Sequence, residues 1–279
     1  MIRFLVFFVV SSAALSACLL DVAGLGGPDQ TRGSPPGKSE GGGGAAVDAN
    51  GAGGTGASAE QAASSSATGG SATEAPLCDV TRKDLVACYT FDDELLDGSS
   101  YANNAKAASM SYVPGQHGSA IKVNAASKIQ VPDSQSWDFT SATIEMWIKP
   151  SSIPPGNYGE SSPRAGLMDK DGQFGLFLYP GGRLLCGFAG DATGGAVAKD
   201  VWTHVACTGD GATVTLYVNG VFVGSHSSGK ITHTGAFIAI GGDSPSLGDP
   251  FDGVIDDLRV FNVVRSKAEI CEAARPNCQ

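Results

Sequence analysis

Basic side chains are scarce in this chain: 18 Lys and Arg stand against 28 Asp and Glu among 279 residues, a formal net charge of −10. The few cations are dispersed, which excludes a nucleic-acid surface, since neutralising phosphates requires a basic patch. Histidine is rarer still, with four copies. None of them falls in an HExxH pattern, and no two cysteines form a CxxC pair, so the usual zinc spacings are missing. Phosphate-binding and dinucleotide-binding glycine loops are absent as well. The apolar run at residues 4–14 is too short for the ~20 residues of a membrane-spanning helix.

That short run follows Arg3 and ends near Leu15-Ser16-Ala17-Cys18. A single cation, an apolar stretch and small residues before a cysteine form a cleavable export signal. These residues resemble the signal of a bacterial lipoprotein. The resemblance implies removal of residues 1–17, acylation (palmitate among the chains) at Cys18, and a mature chain held to a membrane through its N-terminal lipid alone. Two or more acyl chains hold nearly permanently, whereas one does not. The alternative is an ordinary secretory signal in which Cys18 is incidental. Leu19 is not the aspartate that retains many such proteins at the inner membrane, so the expected location is the cell envelope, at the outer membrane.

Export places Cys78, Cys88, Cys186, Cys207, Cys271 and Cys278 in an oxidising space, where six thiols default to three disulfides. Cys186 and Cys207 lie on segments that read as neighbouring strands, where cross-strand spacing suits a bridge. For the other four, two schemes stay open. Either Cys78 pairs with Cys88 and Cys271 with Cys278, or near-terminal cysteines staple the two chain ends together.

Residues 18–76 are Gly, Ala and Ser with scattered acids, including Gly41-Gly42-Gly43-Gly44 and Ser64-Ser65-Ser66. Such a stretch buries too little apolar surface to offset its ordering entropy and is expected to be a disordered tether of about 40 Å reach. Residues 77–279 then form one domain. Short runs rich in Val, Ile, Phe and Tyr recur between Gly, Asp, Asn and Ser, predicting strands at 85–91, 120–123, 129–131, 143–148, 173–179, 183–188, 201–208, 213–218, 221–225, 237–241 and 254–261. Asn219-Gly220 between two alternating segments predicts a type I′ hairpin. One short helix is predicted, with Ser266 as N-cap and Glu269 completing a capping box. The expected fold is an all-β antiparallel sandwich of jelly-roll type with one short C-terminal helix.

Seven segments in order carry a family resemblance: Tyr89-Thr90-Phe91-Asp92, Gly115-Gln116-His117-Gly118-Ser119-Ala120-Ile121, Val131-Pro132-Asp133-Ser134, Thr143-Ile144-Glu145-Met146-Trp147-Ile148-Lys149-Pro150, Trp202-Thr203-His204-Val205-Ala206, Leu216-Tyr217-Val218-Asn219-Gly220, and Phe251-Asp252-Gly253-Val254-Ile255-Asp256-Asp257-Leu258-Arg259-Val260-Phe261. Together they resemble a laminin-G-like domain of the concanavalin A-like lectin/glucanase superfamily. The resemblance implies two face-to-face sheets whose first and last strands are adjacent. It also implies a structural calcium ion held by Asp92, Asp97 and Asp256, with Asn103 as a further candidate, since calcium gathers 6–8 oxygens at about 2.3–2.6 Å. Strict alternation would turn Asp256 inward with Leu258 and Val260, unpaired without a cation. The competing reading pairs Asp256 or Asp257 with Arg259 or Lys106, or has the turn acids cap backbone.

The superfamily's hydrolases carry a Glu-x-Asp-x-x-Glu spacing, which is missing here, and Glu145 reads as a lone, solvent-facing strand residue. His204 reads as structural, and His117, His226 and His233 as loop or strand-end positions. The expected role is therefore non-catalytic binding, first of a glycan. Tyr101, Tyr158 and Tyr179 are candidate exposed rings for such a ligand. A protein-interaction or envelope-architecture role is the alternative, and a divergent glycan hydrolase has the least support.

Overall fold

The computed structural model describes residues 76–159 and 162–278. The leader, Cys18 and the tether up to residue 75 lie outside them. Fifteen strands and one helix follow in order: β1 Leu85–Tyr89, β2 Lys106–Ala108, β3 Ser111–Pro114, β4 Ser119–Val123, β5 Lys128–Val131, β6 Ala142–Pro150, β7 Ala165–Lys170 and β8 Phe174–Leu178. Then come β9 Leu184–Gly187, β10 Asp191–Gly194, β11 Thr203–Gly209, β12 Thr213–Val218, β13 Val221–Ser227, β14 Ile238–Ile240, β15 Gly253–Phe261 and α1 Lys267–Ala273.

The strands form two antiparallel sheets. One runs β13-β12-β11-β6-β15-β4-β3, with β1 also on β15, and the other runs β10-β9-β8-β7-β14-β5-β2. First and last strands are neighbours as expected, with Tyr89 opposite Leu258 and Cys88 opposite Arg259. Ile144, Met146, Val205, Ile255 and Leu258 of the first sheet and Leu167, Leu176, Leu184 and Ile240 of the second are all buried in one core. Trp137, fully buried, packs at its side against Phe174.

Local chemistry explains the best-predicted elements. Asn219 and Gly220 adopt φ of 48° and 75°, the positive values a type I′ turn needs, and join β12 to β13. At α1, Ser266 accepts from the Glu269 N–H while the Glu269 carboxylate accepts from the Ser266 N–H. Strands β2, β3, β7 and β10 are additions to the predicted set. β7, Ala-Gly-Leu-Met-Asp-Lys, contains no β-branched or aromatic residue, so its strand state comes from burial between β8 and β14 and not from propensity.

All three disulfides form, and the four near-terminal cysteines take the local scheme: Cys78–Cys88, Cys186–Cys207 and Cys271–Cys278. Cys186–Cys207 forms, but not between neighbouring strands as expected. β9 and β11 are in different sheets, so the bridge crosses the core and is not a link between neighbouring strands. Sheets normally pack about 10 Å apart, whereas these two Cα atoms are 5.6 Å apart. The sandwich is pinched there.

Candidate functional site

The site begins with an irregularity in β15. Along its first half β15 is flanked by β4, with Ile255 opposite Ile121, and along its second half by β1, from Leu258 onward. Between these two partners the register against β6 shifts after Asp256, and Asp257 takes φ of 47°. A non-glycine residue with positive φ inside a buried strand is uncommon and marks a bulge held by its surroundings. The bulge replaces the expected alternation. Asp256 lies opposite Trp147 and Arg259 opposite Glu145, whereas Ile255 and Leu258 face the core. Asp256 therefore belongs to the outer face of the sheet, and not with Leu258 as period-2 reasoning held.

The turn between β3 and β4 fills the gap left where β15 changes partner. Asp256 Oδ2 accepts from the N–H groups of Gln116 (2.8 Å) and His117 (3.0 Å), and Oδ1 from the N–H of Asp257 (2.9 Å). It is thus buried and hydrogen-bonded, not orphaned. Neither Arg259 nor Lys106 is its partner, because Arg259 turns to Glu145. The turn approaches closely because Gly115 and Gly118 have no Cβ. A methyl group at Gly115 would come within 2.5 Å of Asp256 Oδ2, and one at Gly118, with φ of 52°, within 2.0 Å of Asp92 Oδ1. Asp92 accepts from the Ser119 N–H at 2.8 Å, and His117 Nδ1 lies 2.5 Å from Asp257 Oδ2.

Asp92, Asp256 and Asp257 consequently surround one turn, which itself carries His117. Burial, then the neighbouring Asp257 carboxylate, pushes Asp256 up to about 7. Burial also raises Asp257, against the pull of His117 and Arg259. Asp257 has His117 as its partner at 2.5 Å, whereas Asp256 is held by backbone N–H groups alone. His117, Asp256 and Asp257 offer ligand atoms within 4.8 Å of one another.

The other two predicted ligands lie in a separate cluster. Asp97 accepts from the N–H groups of Cys88, Ser99 and Asn103 and from the Ser99 hydroxyl, which occupies both its oxygens. Asn103 donates to the Val86 carbonyl and to Ser136, and accepts from Ser134. Both organise the loop that covers the free edge of β1. They do not join Asp92 and Asp256.

Trp147, Glu145, Arg259 and Phe261 continue the outer face away from the acidic turn. Glu145 is fully buried and paired with Arg259 at 2.6 Å and with Arg265, which corrects the expectation of a solvent-facing carboxylate. Its strand neighbours are Ala206 and Arg259, so no second carboxylate faces it across the ladder. His204, 1% exposed, packs edge-on to Trp147, and its Nδ1 has no hydrogen-bond partner among the described residues. Above this floor is a groove of about 670 Å³, lined by Asp92, His117 and Asp257 at one end and by Arg259 and Arg265 at the other.

Burial pushes His204 down to about 4, against a raising influence from Glu145. Between about pH 4 and 6.5 the unfolded chain takes up a proton at His204 that the folded domain refuses, so this residue removes stability as pH falls through that window. The buried carboxylates act with the opposite sign there. Urea denaturation of His204→Gln and the parent at pH 7 and 4.5 isolates the histidine. The variant's stability relative to the parent is expected to rise by about 2–3 kcal/mol on acidification, and an unchanged difference would contradict the buried neutral imidazole.

Of the three tyrosines, Tyr101 is 38% exposed, its hydroxyl donates to the Lys83 carbonyl at 2.7 Å, and its ring lines a second cavity of about 520 Å³ with Asn103, Asn104 and Asp133. Tyr158 is exposed beneath the Arg183 guanidinium. Tyr179 is 7% exposed and packs edge-on to Tyr158, so it offers no open ring.

The Laminin_G_3 profile of the concanavalin A-like lectin/glucanases superfamily matches residues 123–271, more than half of the chain. The chain belongs to this family. No curated protein matches it. Domain 4 of AbnA, a GH43 extracellular arabinanase from Geobacillus stearothermophilus, solved with arabinotriose, aligns with a TM-score of 0.53 at 24% identity, over 69% of this chain and 98% of that one. The binding domain of botulinum neurotoxin DC aligns with a TM-score of 0.54 in two complexes. One, with SialylT, is 12% identical over 70% of this chain and 51% of that one. The other, with rat synaptotagmin II, is 13% identical over 70% and 52%. The chain spans about half the length of these toxin domains. At such identities the likeness is one of fold, and most of these solved structures are binding domains.

Proposed function

We propose that the domain is a non-catalytic carbohydrate-binding module, displayed on the cell envelope by lipid at Cys18 and carrying a structural calcium ion beside its binding groove. The observation that carries the reading is the groove itself, whose walls bring polar groups of both signs together over the buried rings of Trp147 and Phe261. Family membership supports it. The Glu145 carboxylate, held by two arginines, has no neighbour with which to share acid and nucleophile roles, which favours binding over hydrolysis. Calcium is assigned to the acidic turn, where the adjacent carboxylates of Asp256 and Asp257 would hold it, with Asp92 beside them and backbone oxygens completing the shell, once Asp256 exchanges its backbone donors for the ion. Asp97 and Asn103 do not fit that role. The ion would neutralise the turn and fix its contact with β15.

A glycan array probed with the full-length protein, with and without chelator, tests this reading. Binding is expected, falling at least about tenfold in chelator and returning with calcium. A blank array would overturn the glycan assignment and favour a protein partner. That second reading has support of its own in the β12–β13 hairpin, where Val221 and Phe222 are 56% and 51% exposed.

A further inference from the structure

Half of the arginines in the sequence, Arg82, Arg259, Arg265 and Arg275, line the one groove. Three of their guanidiniums stand around a single ring, with Arg82, Arg259 and Arg265 at 5.0, 5.9 and 4.7 Å from the Phe261 centroid. Like charges gathered this closely in a protein of net charge −10 are costly without matching anions. Arg82 has Asp84, Arg275 has Glu272, and Glu269 lies 4.0 Å from Arg265 while also serving the Ser266 cap. The two most buried guanidiniums, however, share one buried carboxylate, Glu145. Their Nε–H groups find no acceptor among the described residues. Each guanidinium carries five N–H donors in a planar fork, so Glu145 satisfies a small part of what Arg259 and Arg265 present. What exposure these side chains retain, 13% and 8%, opens on the groove.

The opposite end of the same groove carries Asp92 and Asp257, the turn assigned above to calcium, where sugar hydroxyls can serve as neutral oxygen ligands. A ligand with one acid group at one end and hydroxyls at the other matches both ends.

Resting on the glycan reading above, we propose that the groove selects a uronic-acid saccharide, its carboxylate seated against Arg259 and Arg265 and its hydroxyls toward the Asp92–Asp257 end. Planar carboxylates pair with guanidinium forks more specifically than with an ammonium group.

Calorimetric titration of the full-length protein with a panel of uronate oligosaccharides, each beside its carboxyl-reduced neutral counterpart, tests the selection. At least one uronate is expected to bind ten or more times tighter than its neutral twin. Arg259→Lys keeps the charge facing Glu145 but loses the fork, and Arg82→Gln alters the half-exposed neighbour. Each is expected to weaken uronate binding about fivefold with the circular dichroism of the parent; Arg82→Gln should also melt close to the parent, whereas Arg259→Lys, which touches the buried pair with Glu145, is titrated well below its own melting temperature. Equal affinity within every pair overturns the carboxylate proposal and leaves glycan binding standing. A uronate preference untouched by either substitution overturns the placement in this groove. Binding of neither series removes the glycan reading and this one with it. Equal binding of polysulfated glycans or anionic vesicles also overturns it, in favour of a general anion surface.

Discussion

Replacing Glu145 with alanine is expected to cost about 3–5 kcal/mol of folding stability, the largest effect of any single polar substitution on the outer face. The carboxylate is fully buried and takes contacts from both Arg259 and Arg265. Its loss leaves two cations facing each other out of water beside the Phe261 ring. Burial already lowers the Arg265 pKa, and the charge of Glu145, followed by that of Glu269, opposes that shift. Equilibrium urea denaturation, with the midpoint and slope read separately, measures the loss. Adding Arg259→Met and Arg265→Met to Glu145→Ala should recover much of it, because replacing a whole buried ion cluster by apolar groups is far less costly than removing one member. A loss below about 1 kcal/mol in the single variant would mean that the triad is solvated and weak, as surface pairs are.

How much of this was legible beforehand depended on whether the deciding physics was local. Asn219-Gly220 and Ser266…Glu269 were readable because a turn and a cap are set by residues a few positions apart. The site was half readable. The adjacency of the first and last strands brought Asp92 and Asp256 to one turn, but the bulge at Asp257 has no signature in composition or periodicity. It arises because β15 changes partner from β4 to β1, a tertiary event. That single event moved Asp256 from the core face to the outer face. Asp97 and Asn103 looked like ligands because oxygen-rich loops hold cations and stabilise backbone with the same groups, and only their donors, Cys88, Ser99 and Val86 among them, distinguish the two uses. Glu145 misled for the opposite reason. Its partners are 114 and 120 residues away in sequence, and no local pattern announces them.

Removing the Cys186–Cys207 bridge as a Cys186→Ala/Cys207→Ala pair is expected to lower stability by about 3 kcal/mol, seen as a fall in melting temperature of roughly 6–12 °C. The cysteines are 21 residues apart, so the bridge restricts a substantial loop of the unfolded chain. Both are fully exposure-free and face the core, where the lost sulfurs also leave unfilled space. The comparable change at Cys271–Cys278, which closes only 7 residues at the end of α1, should cost less. Differential scanning calorimetry of the two double variants ranks them. A smaller drop for the core bridge than for the helix-end bridge would contradict the view that it ties the sheets together.

The Cys78–Cys88 bridge has a mechanical consequence. A pull arriving along the backbone at residue 77 does not have to travel through 79–87, because the covalent link carries the load straight to Cys88, which is opposite Arg259 on the last strand. The intervening residues cannot unravel to lengthen the chain while that link is intact. Tension from the amino-terminal side is thus delivered to the central strands of the larger sheet, and the domain has no slack to release before they bear it.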